Sequence, residues 1–503
     1  MRPGYADLIL TALRRRPERT AFRFSGDDDG TKHTWTYREA ADRIERTAAA
    51  FGRLGLTPGD GIALLCGPDP RAFTVMAAAC LAGLRYTALH PLATADTDRT
   101  VLRDSASDHL VVDDTRFASR AHPDGTRAIT LAELDRLAAD TPPGPADPRG
   151  PALYLFYTGG TTGEPKGVML RDRSLLANAW ACSTWAWPRD TRFLITTPMS
   201  HAAGLLVAPG LLHGACFELH PSFDPDRVID AVEHDGVSAT FVVPTMLYAL
   251  LDHPRLPAAD LSGLKWVLYG AAPADPARLA QARRLLGPVL SQHYGQAEAP
   301  NALTVLDPAE HRDDPAVLGS CGRPMPGVEI TLRDPHGREV PAGEPGELCA
   351  RGPLVMDGYW NKPEQTAAAL EGGWLHTGDV ARRDDDGLIT IIDRIKDTII
   401  TGGFNVYPRE VEEALSAHPA VAAVAVYGTP DPHWGEAVTA TVVLHPGRHA
   451  TPAELTDHVR TCKGPLWVPK RIHLADALPL TALGKIDRKE LRHRASGEDR
   501  AGR

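Results

Sequence analysis

Residues 157–167 read Tyr-Thr-Gly-Gly-Thr-Thr-Gly-Glu-Pro-Lys-Gly, and their types suit one kind of chemistry. Glycine lets backbone N–H groups approach an anion closely, threonine hydroxyls add donors, and lysine adds a compact positive charge. Thr158, Gly159, Gly160, Thr161, Thr162, Gly163 and Lys166 therefore form a candidate polyphosphate loop. The spacing is not that of the G-x-x-x-x-G-K-[ST] loop, because Lys166 is followed by Gly167 and no hydroxyl stands ready for a magnesium ion. Only nine of the 54 basic residues are lysines. Three of them, Lys166, Lys396 and Lys485, fall in or beside glycine-containing turns, where a point charge serves better than a planar fork.

The elements that must carry this loop can be read around it. The apolar run Ala152 to Phe156 reads as a buried strand leading into it, and the Pro/Gly/Asp-rich residues 139–151 as a connecting loop before that strand. Thr36 and Glu39 form a capping box for a helix over 36–54, with apolar positions at Ala40, Ile44, Ala48 and Phe51. Strands are predicted at 60–65 and 110–113, and helix and strand signals alternate to about residue 305. That alternation predicts an α/β fold: a large N-terminal domain of helix-covered sheets. From about 317 to 392, short strands broken by Asp334-Pro335-His336-Gly337 and Asp385-Asp386-Gly387 predict a small all-β, barrel-like subdomain. Residues 394–503 read as a separate small α+β domain. In it a helix opens at Tyr407-Pro408 and runs to about His418, strands cover 421–427 and 437–444, and a disordered tail covers 495–503.

Composition narrows the classes. A chain of 503 residues exceeds one ordinary domain, and its 43% apolar and 23% charged residues are globular proportions. A formal charge of −10 argues against nucleic acid as a partner. The seven cysteines contain no C-x-x-C pair, which predicts reduced, mostly buried thiols and neither a disulfide framework nor a zinc site. No stretch approaches the roughly 18 apolar residues of a membrane helix, and no signal peptide is evident, so a cytoplasmic protein without integral membrane association is predicted.

Further motifs follow the loop in order: Pro198-Met199-Ser200-His201, Tyr269-Gly270-Ala271-Ala272-Pro273, Tyr294-Gly295-Gln296-Ala297-Glu298 and His376-Thr377-Gly378-Asp379. Then come Asp393-Arg394-Ile395-Lys396-Asp397, Gly402-Gly403-Phe404-Asn405-Val406-Tyr407-Pro408 and Leu483-Gly484-Lys485-Ile486-Asp487-Arg488. In this order and at these separations the chain resembles the adenylate-forming superfamily, in its acyl-CoA synthetase branch. Gly346-Glu347-Leu348, Arg351-Gly352-Pro353 and Gly358-Tyr359-Trp360 strengthen the resemblance, which covers almost the whole chain.

The resemblance implies an ATP-dependent carboxylate–CoA ligase. A carboxylate oxygen attacks the α-phosphorus of ATP and pyrophosphate leaves; a thiol sulfur then attacks the acyl carbonyl and AMP leaves. ATP, Mg²⁺ and CoA are the implied cofactors, with a carboxylic acid and CoA, or an acyl carrier protein, as partners. The phosphate loop and Lys166 would hold the β- and γ-phosphates, and Glu298 is a hard oxygen ligand suited to Mg²⁺. Gly270, Ala271, Ala272 and Pro273, together with His293, Tyr294, Gly295, Gln296 and Ala297, would surround the nucleotide. Asp379 and Arg394 would contact the ribose. Lys485 would bridge the attacking carboxylate and the α-phosphate, and His201 would gate the passage between thiol tunnel and acyl pocket, not act as a general base. The resemblance also implies a hinge at Asp393 between domains 1–392 and 394–503, which withdraws Lys485 and presents Gly402 and Gly403 for the thiol step. Lys396, Phe404 and Trp434 complete the implied CoA-binding set.

His201, Ala202, Gly204, Val243, Gly270, Ala271 and Ala302 form the implied acyl pocket. Many of these residues are small, which favours a bulky, aromatic or long-chain acid, and no acidic residue apart from Glu298 stands there for an amino-acid ammonium group. The pattern is broken at Ala297, where the family carries threonine. Loss of that hydroxyl raises the alternative of a ligase that mainly converts a supplied acyl-adenylate. Ile400 and Gly159 are smaller departures. A carrier-protein-loading enzyme and a catalytically silent nucleotide- or acyl-binding protein are the other readings.

Overall fold

Thr36 caps the helix Tyr37–Arg53 as its sequence predicts, accepting the Glu39 N–H while the Glu39 carboxylate accepts the Thr36 N–H. Tyr37, Ala40, Ile44, Ala48 and Phe51 bury one face of that helix. The structure is a computed structural model and describes residues 4–25, 31–121, 125–144, 152–158, 165–479 and 486–501. By its contacts the chain divides into two compact units, the first comprising 1–330, 349–376 and 387–389, and the second 331–348, 377–386 and 390–503. These boundaries interleave along the chain, whereas the sequence suggested one junction at Asp393.

Two large sheets organise the first unit. One has six strands in the order Arg127–Thr130, His109–Val112, Gly61–Leu65, Arg85–Ala88, Leu153–Thr158, Lys166–Arg171. It is parallel except for its last pair, which carries the phosphate-loop sequence. The other has nine strands, at whose centre Arg192–Ile195, Ala239–Val242, Trp266–Gly270 and Leu290–Gln296 run parallel. Ile62, Ala63, Leu110, Val111 and Val112 are fully buried, as expected where helices cover both faces of a parallel sheet. Apolar residues of helices Pro225–Glu233, Pro244–Leu251 and Pro276–Leu286 pack on one side of the nine-stranded sheet.

A four-stranded sheet orders Glu329–Arg333, Gly346–Arg351, Leu375–Arg383 and Ile389–Arg394, as the run of turns predicts. The region is not purely β, since short helices stand at Pro315–Leu318 and Pro363–Ala369. In the second unit the helix Pro408–Ser416 packs on a long hairpin, Val421–Asp431 against Gly435–Leu444. Both strands extend further than their valine-rich cores suggested, and Thr429 in the extension pairs its hydroxyl with that of Thr439 at 2.7 Å. The predicted disordered tail is corrected: a helix spans Arg488–Ala501, and Leu491 and Ala495 bury themselves beside Ala425 and Tyr427. Five of the seven cysteines are buried and all are free thiols. Among the described residues, no helix is long and apolar enough to cross a membrane.

Candidate active site

Strands Leu153–Thr158 and Lys166–Arg171 pair antiparallel with Thr158 opposite Lys166. The residues joining them, including Gly159, Gly160, Thr161, Thr162 and Gly163, lie outside the described residues, as does Lys485. Lys166 Nζ stands 4.8 Å from the centre of the Tyr359 ring. The Tyr359 hydroxyl donates to Glu298 Oε1 at 2.7 Å. Glu298 is at the tip of a tight hairpin, since Gln296 pairs with Ala299 and only Ala297 and Glu298 lie between. Tyr359 is fixed from behind: Val168 bridges it, Trp360 N–H donates to Gly167 O at 2.8 Å, and Met356 N–H donates to Glu298 O at 2.8 Å. Burial, and then the Glu298 charge, push the Tyr359 phenol well above its ordinary value, so it stays a neutral donor. The loop lysine and the candidate metal ligand thus converge on one ring, and one of the two Glu298 oxygens takes the tyrosine bond.

A second group lines the ends of the parallel strands. Gly270 ends Trp266–Gly270 opposite His293, and a Cβ there would lie 2.4 Å from the His293 carbonyl oxygen. Ala271 takes a left-handed φ of 64°, the kind of strain that collects at functional loops, and Ala272 and Pro273 follow it. Tyr294, Gly295 and Gln296 finish the next strand, and Val243 caps the helix Pro244–Leu251. Ala302 is fully buried on Ala299–Leu306. At Gly204 a Cβ would stand 1.9 Å from the Met199 carbonyl oxygen, so the turn itself requires glycine.

His201 lies between two rings, His90 at 4.6 Å and Phe156 at 5.3 Å between centroids, both edge-on. Its Nδ1 is 2.8 Å from Ser200 Oγ. His90 Nδ1 accepts the Leu92 N–H at 3.0 Å, while Arg120 donates to the His90 carbonyl at 2.9 Å and to Asp98. Burial, then the Arg120 charge, lower His90 to about 4, so it is neutral near pH 7. Ala202 O accepts the Asn301 side-chain amide at 3.3 Å, and Asn301 has φ 58°.

In the second unit Asp379 is 2% exposed, and Arg394 Nε lies 2.5 Å from its Oδ1. The two expected ribose contacts are therefore paired with each other. Asp393 accepts the Arg394 and Arg409 N–H groups at 2.8 and 2.9 Å, and burial pushes its carboxyl up to about 6. Lys396 follows on the short turn Ile395–Asp397. Gly402 and Gly403 make the two-residue loop between Ile399–Thr401 and Phe404–Val406, with φ 58° and 83°, the left-handed pair such a hairpin demands. Gly402 N–H donates to Trp434 O at 2.8 Å, and Ile400, Phe404 and Trp434 are 57%, 61% and 40% exposed. Gly402, Gly403 and Trp434 are brought together as one surface with an apolar tip.

Tyr359, His90 and Asn301 are functional candidates that the motifs did not single out. Tyr359 was visible inside Gly358-Tyr359-Trp360 without a role, because nothing local says that it meets a glutamate 61 residues earlier. His90 and Asn301 carry no sequence signal beyond their types.

The model of the AMP-binding enzyme family matches residues 10–360, and that of the AMP-binding enzyme C-terminal domain matches 410–485. The chain belongs to this family, in its acyl-CoA ligase branch. It is 41% identical to the medium/long-chain fatty-acid–CoA ligase FadD8 of Mycobacterium tuberculosis, over 97% of this chain and 89% of that protein. It is 38% identical to a feruloyl-CoA synthase of an Amycolatopsis species, over 98% and 99% respectively. Among solved structures, the amide bond synthetase McbA from Marinactinospora thermotolerans superposes with a TM-score of 0.88 at 34% identity, covering 98% and 99%.

Proposed function

We propose that this AMP-binding enzyme is an acyl-CoA ligase, activating a bulky, aromatic or long-chain carboxylic acid with ATP and passing the acyl group to CoA. The convergence of Lys166 and Glu298 on Tyr359 is the observation that carries the reading. A carboxylate anion must approach a highly charged nucleotide, so cationic and metal-holding groups have to be fixed before the reactants meet. Glu298, hard, oxygen-bearing and at a rigid hairpin tip, fits Mg²⁺, which when bound neutralises phosphate charge. Tyr359 orients the Glu298 carboxylate, and the Lys166 ammonium lies over the same ring. Asp379 and Arg394 would hold the ribose, Asp379 as acceptor for its hydroxyls. In this reading the 394–503 domain turns about Asp393, bringing Lys485 for adenylation and then the Gly402-Gly403 turn for the thiol step. Relatives that act on fatty and feruloyl acids support the acid class.

The test is AMP release from a panel of fatty and aryl acids, dependent on both ATP and CoA. AMP release without any acid dependence would refute the reading. A second reading, in which a supplied acyl-adenylate is the main substrate, is favoured by Ala297 at the hairpin tip. A missing charge-assisted hydrogen bond would cost about 1.5–3 kcal/mol. Pyrophosphate exchange at an ordinary rate with the free acid removes it, whereas a tenfold gain on Ala297→Thr supports it.

A further inference from the structure

Both ends of the phosphate-loop sequence are tied to a residue that stands in none of the motifs. Asp104 closes the helix Ala95–Asp104. Its Oδ2 accepts the Tyr157 hydroxyl at 2.6 Å, and its carbonyl oxygen accepts the Trp360 indole N–H at 2.9 Å. Lys362 Nζ lies 4.0 Å from the other carboxylate oxygen. Tyr157 leads into the loop at Thr158. Trp360 holds the far end, since its backbone N–H donates to Gly167 O at 2.8 Å, one residue beyond Lys166. Asp104 therefore reaches the entry strand directly and the exit strand through Trp360.

The anchor is itself fixed. Arg85, on the strand Arg85–Ala88 of the same sheet, donates to the carbonyl oxygens of Gly59, Ser105 and Ala106, each at 2.8 Å. Its guanidinium also lies 4.9 Å from the centre of the Trp360 ring. Ala106 has a left-handed φ of 48°, strain that the surrounding bonds must sustain. Tyr157 stands opposite Gly167, and a Cβ on Gly167 would lie 2.9 Å from the phenol Cζ. The phenol thus crosses its own cross-strand neighbour to reach Asp104, and a larger residue at 167 would push it aside. Burial, and then the Asp104 bond, raise the phenol well above its ordinary value, so it stays a donor.

Register decides what this clamp controls. Thr158 and Lys166 form the pair next beyond Tyr157 and Gly167, so a shift of the clamped pair moves the Lys166 ammonium. Lys166 is the group placed for the β- and γ-phosphates, which ATP carries and an acyl-adenylate does not. A bond that serves the loop ends should therefore matter to one half-reaction alone.

Resting on the acyl-CoA ligase reading, we propose that Asp104 is a positioning residue for ATP: through Tyr157 and Trp360 it sets both ends of the phosphate loop, and it takes no part in the thiol step. The experiment measures ATP–pyrophosphate exchange with the fatty or aryl acid that the wild type activates best. Alongside it, AMP affinity and thioester formation from the synthetic acyl-adenylate and CoA are measured. The chains are the wild type, Tyr157→Phe, Asp104→Ala and the double variant. Each single variant should lower kcat/KM for ATP in exchange by about tenfold, since a charge-assisted hydrogen bond is lost. The double variant should fall no more than about twofold further, because the two changes remove the same bond. AMP affinity and the thioester step should stay within about twofold of the wild type. Exchange within about twofold of the wild type in Tyr157→Phe, which keeps the ring, overturns the proposal. So do equal losses in both half-reactions, which a role in folding alone would give, and so does a double variant whose losses multiply. A wild type without acid-dependent AMP release from any acid of the panel sinks the ligase reading, and this inference with it.

Discussion

The two units present their candidate groups in opposite ways. In the first, Lys166 and Glu298 meet a tyrosine that two backbone hydrogen bonds and a bridge hold in place, and of the acyl-pocket candidates Gly204, Gly270 and Ala302 are buried. In the second, Gly402 and Phe404 stand at an exposed hairpin tip with Trp434 of another turn bonded to Gly402, and Asp379 and Arg394 are bonded to each other. One arrangement is fixed before any ligand arrives; the other is a surface and an ion pair that must open or be met. That contrast fits a first half-reaction that depends on charge placement and a second that depends on what is presented.

Breaking the first unit should cost most. Glu298→Ala or Lys166→Ala should lower AMP formation by about a hundredfold to a thousandfold, because preorganised charge is the largest single contribution to such steps. Steady-state AMP release checks it, and a loss under fivefold would dissolve the contrast. Tyr359→Phe sharpens it: the ring stays beneath Lys166 while the Glu298 bond is lost, and pyrophosphate exchange should fall by about tenfold with nucleotide affinity little changed.

In the second unit, Gly402→Ala places a Cβ 3.0 Å from the Trp434 ring at a left-handed φ. It should slow thioester formation from supplied acyl-adenylate by about fivefold to tenfold while leaving pyrophosphate exchange within about twofold. Equal effects on both would argue that the turn serves only to fold the domain.

The smallest effect is on stability, and here the units differ in sign. His90, His293 and His311 are each lowered to about 4 by burial, so between about pH 6.5 and 4 the unfolded chain binds more protons than the folded one. The first unit should lose stability as pH falls through that window. Asp393 is raised to about 6, so its contribution is present below its unfolded value of 3.8 and fades as pH rises toward 6. Hydrogen exchange followed by unit at pH 4.5 and 7 reads both; the same pH slope in both units would contradict this.

Much of the scaffold was legible because local rules and tertiary packing agree. The Thr36 capping box and the apolar strands at 61–65 and 109–112 each follow from neighbours in sequence. The C-terminal helix was not, since among its described side chains Leu491 and Ala495 mark the buried face between charged residues, and their partners lie on a strand some 65 residues earlier. At the site, Lys166, Glu298 and Asp379 stood out by motif. Tyr359, His90 and Asn301 join the candidate site through contacts made only by folding, as does the pairing of Gly270 with His293. Gly204 adds a related lesson: its smallness looked like room for substrate, and it is also what a turn against Met199 requires.

The most direct test of a division between charge placement and presentation is Lys485→Ala in paired half-reactions. The account predicts at least a hundredfold loss of AMP formation from free acid and ATP, with conversion of supplied acyl-adenylate and CoA to thioester held within about threefold. Parallel losses in the two reactions would contradict it.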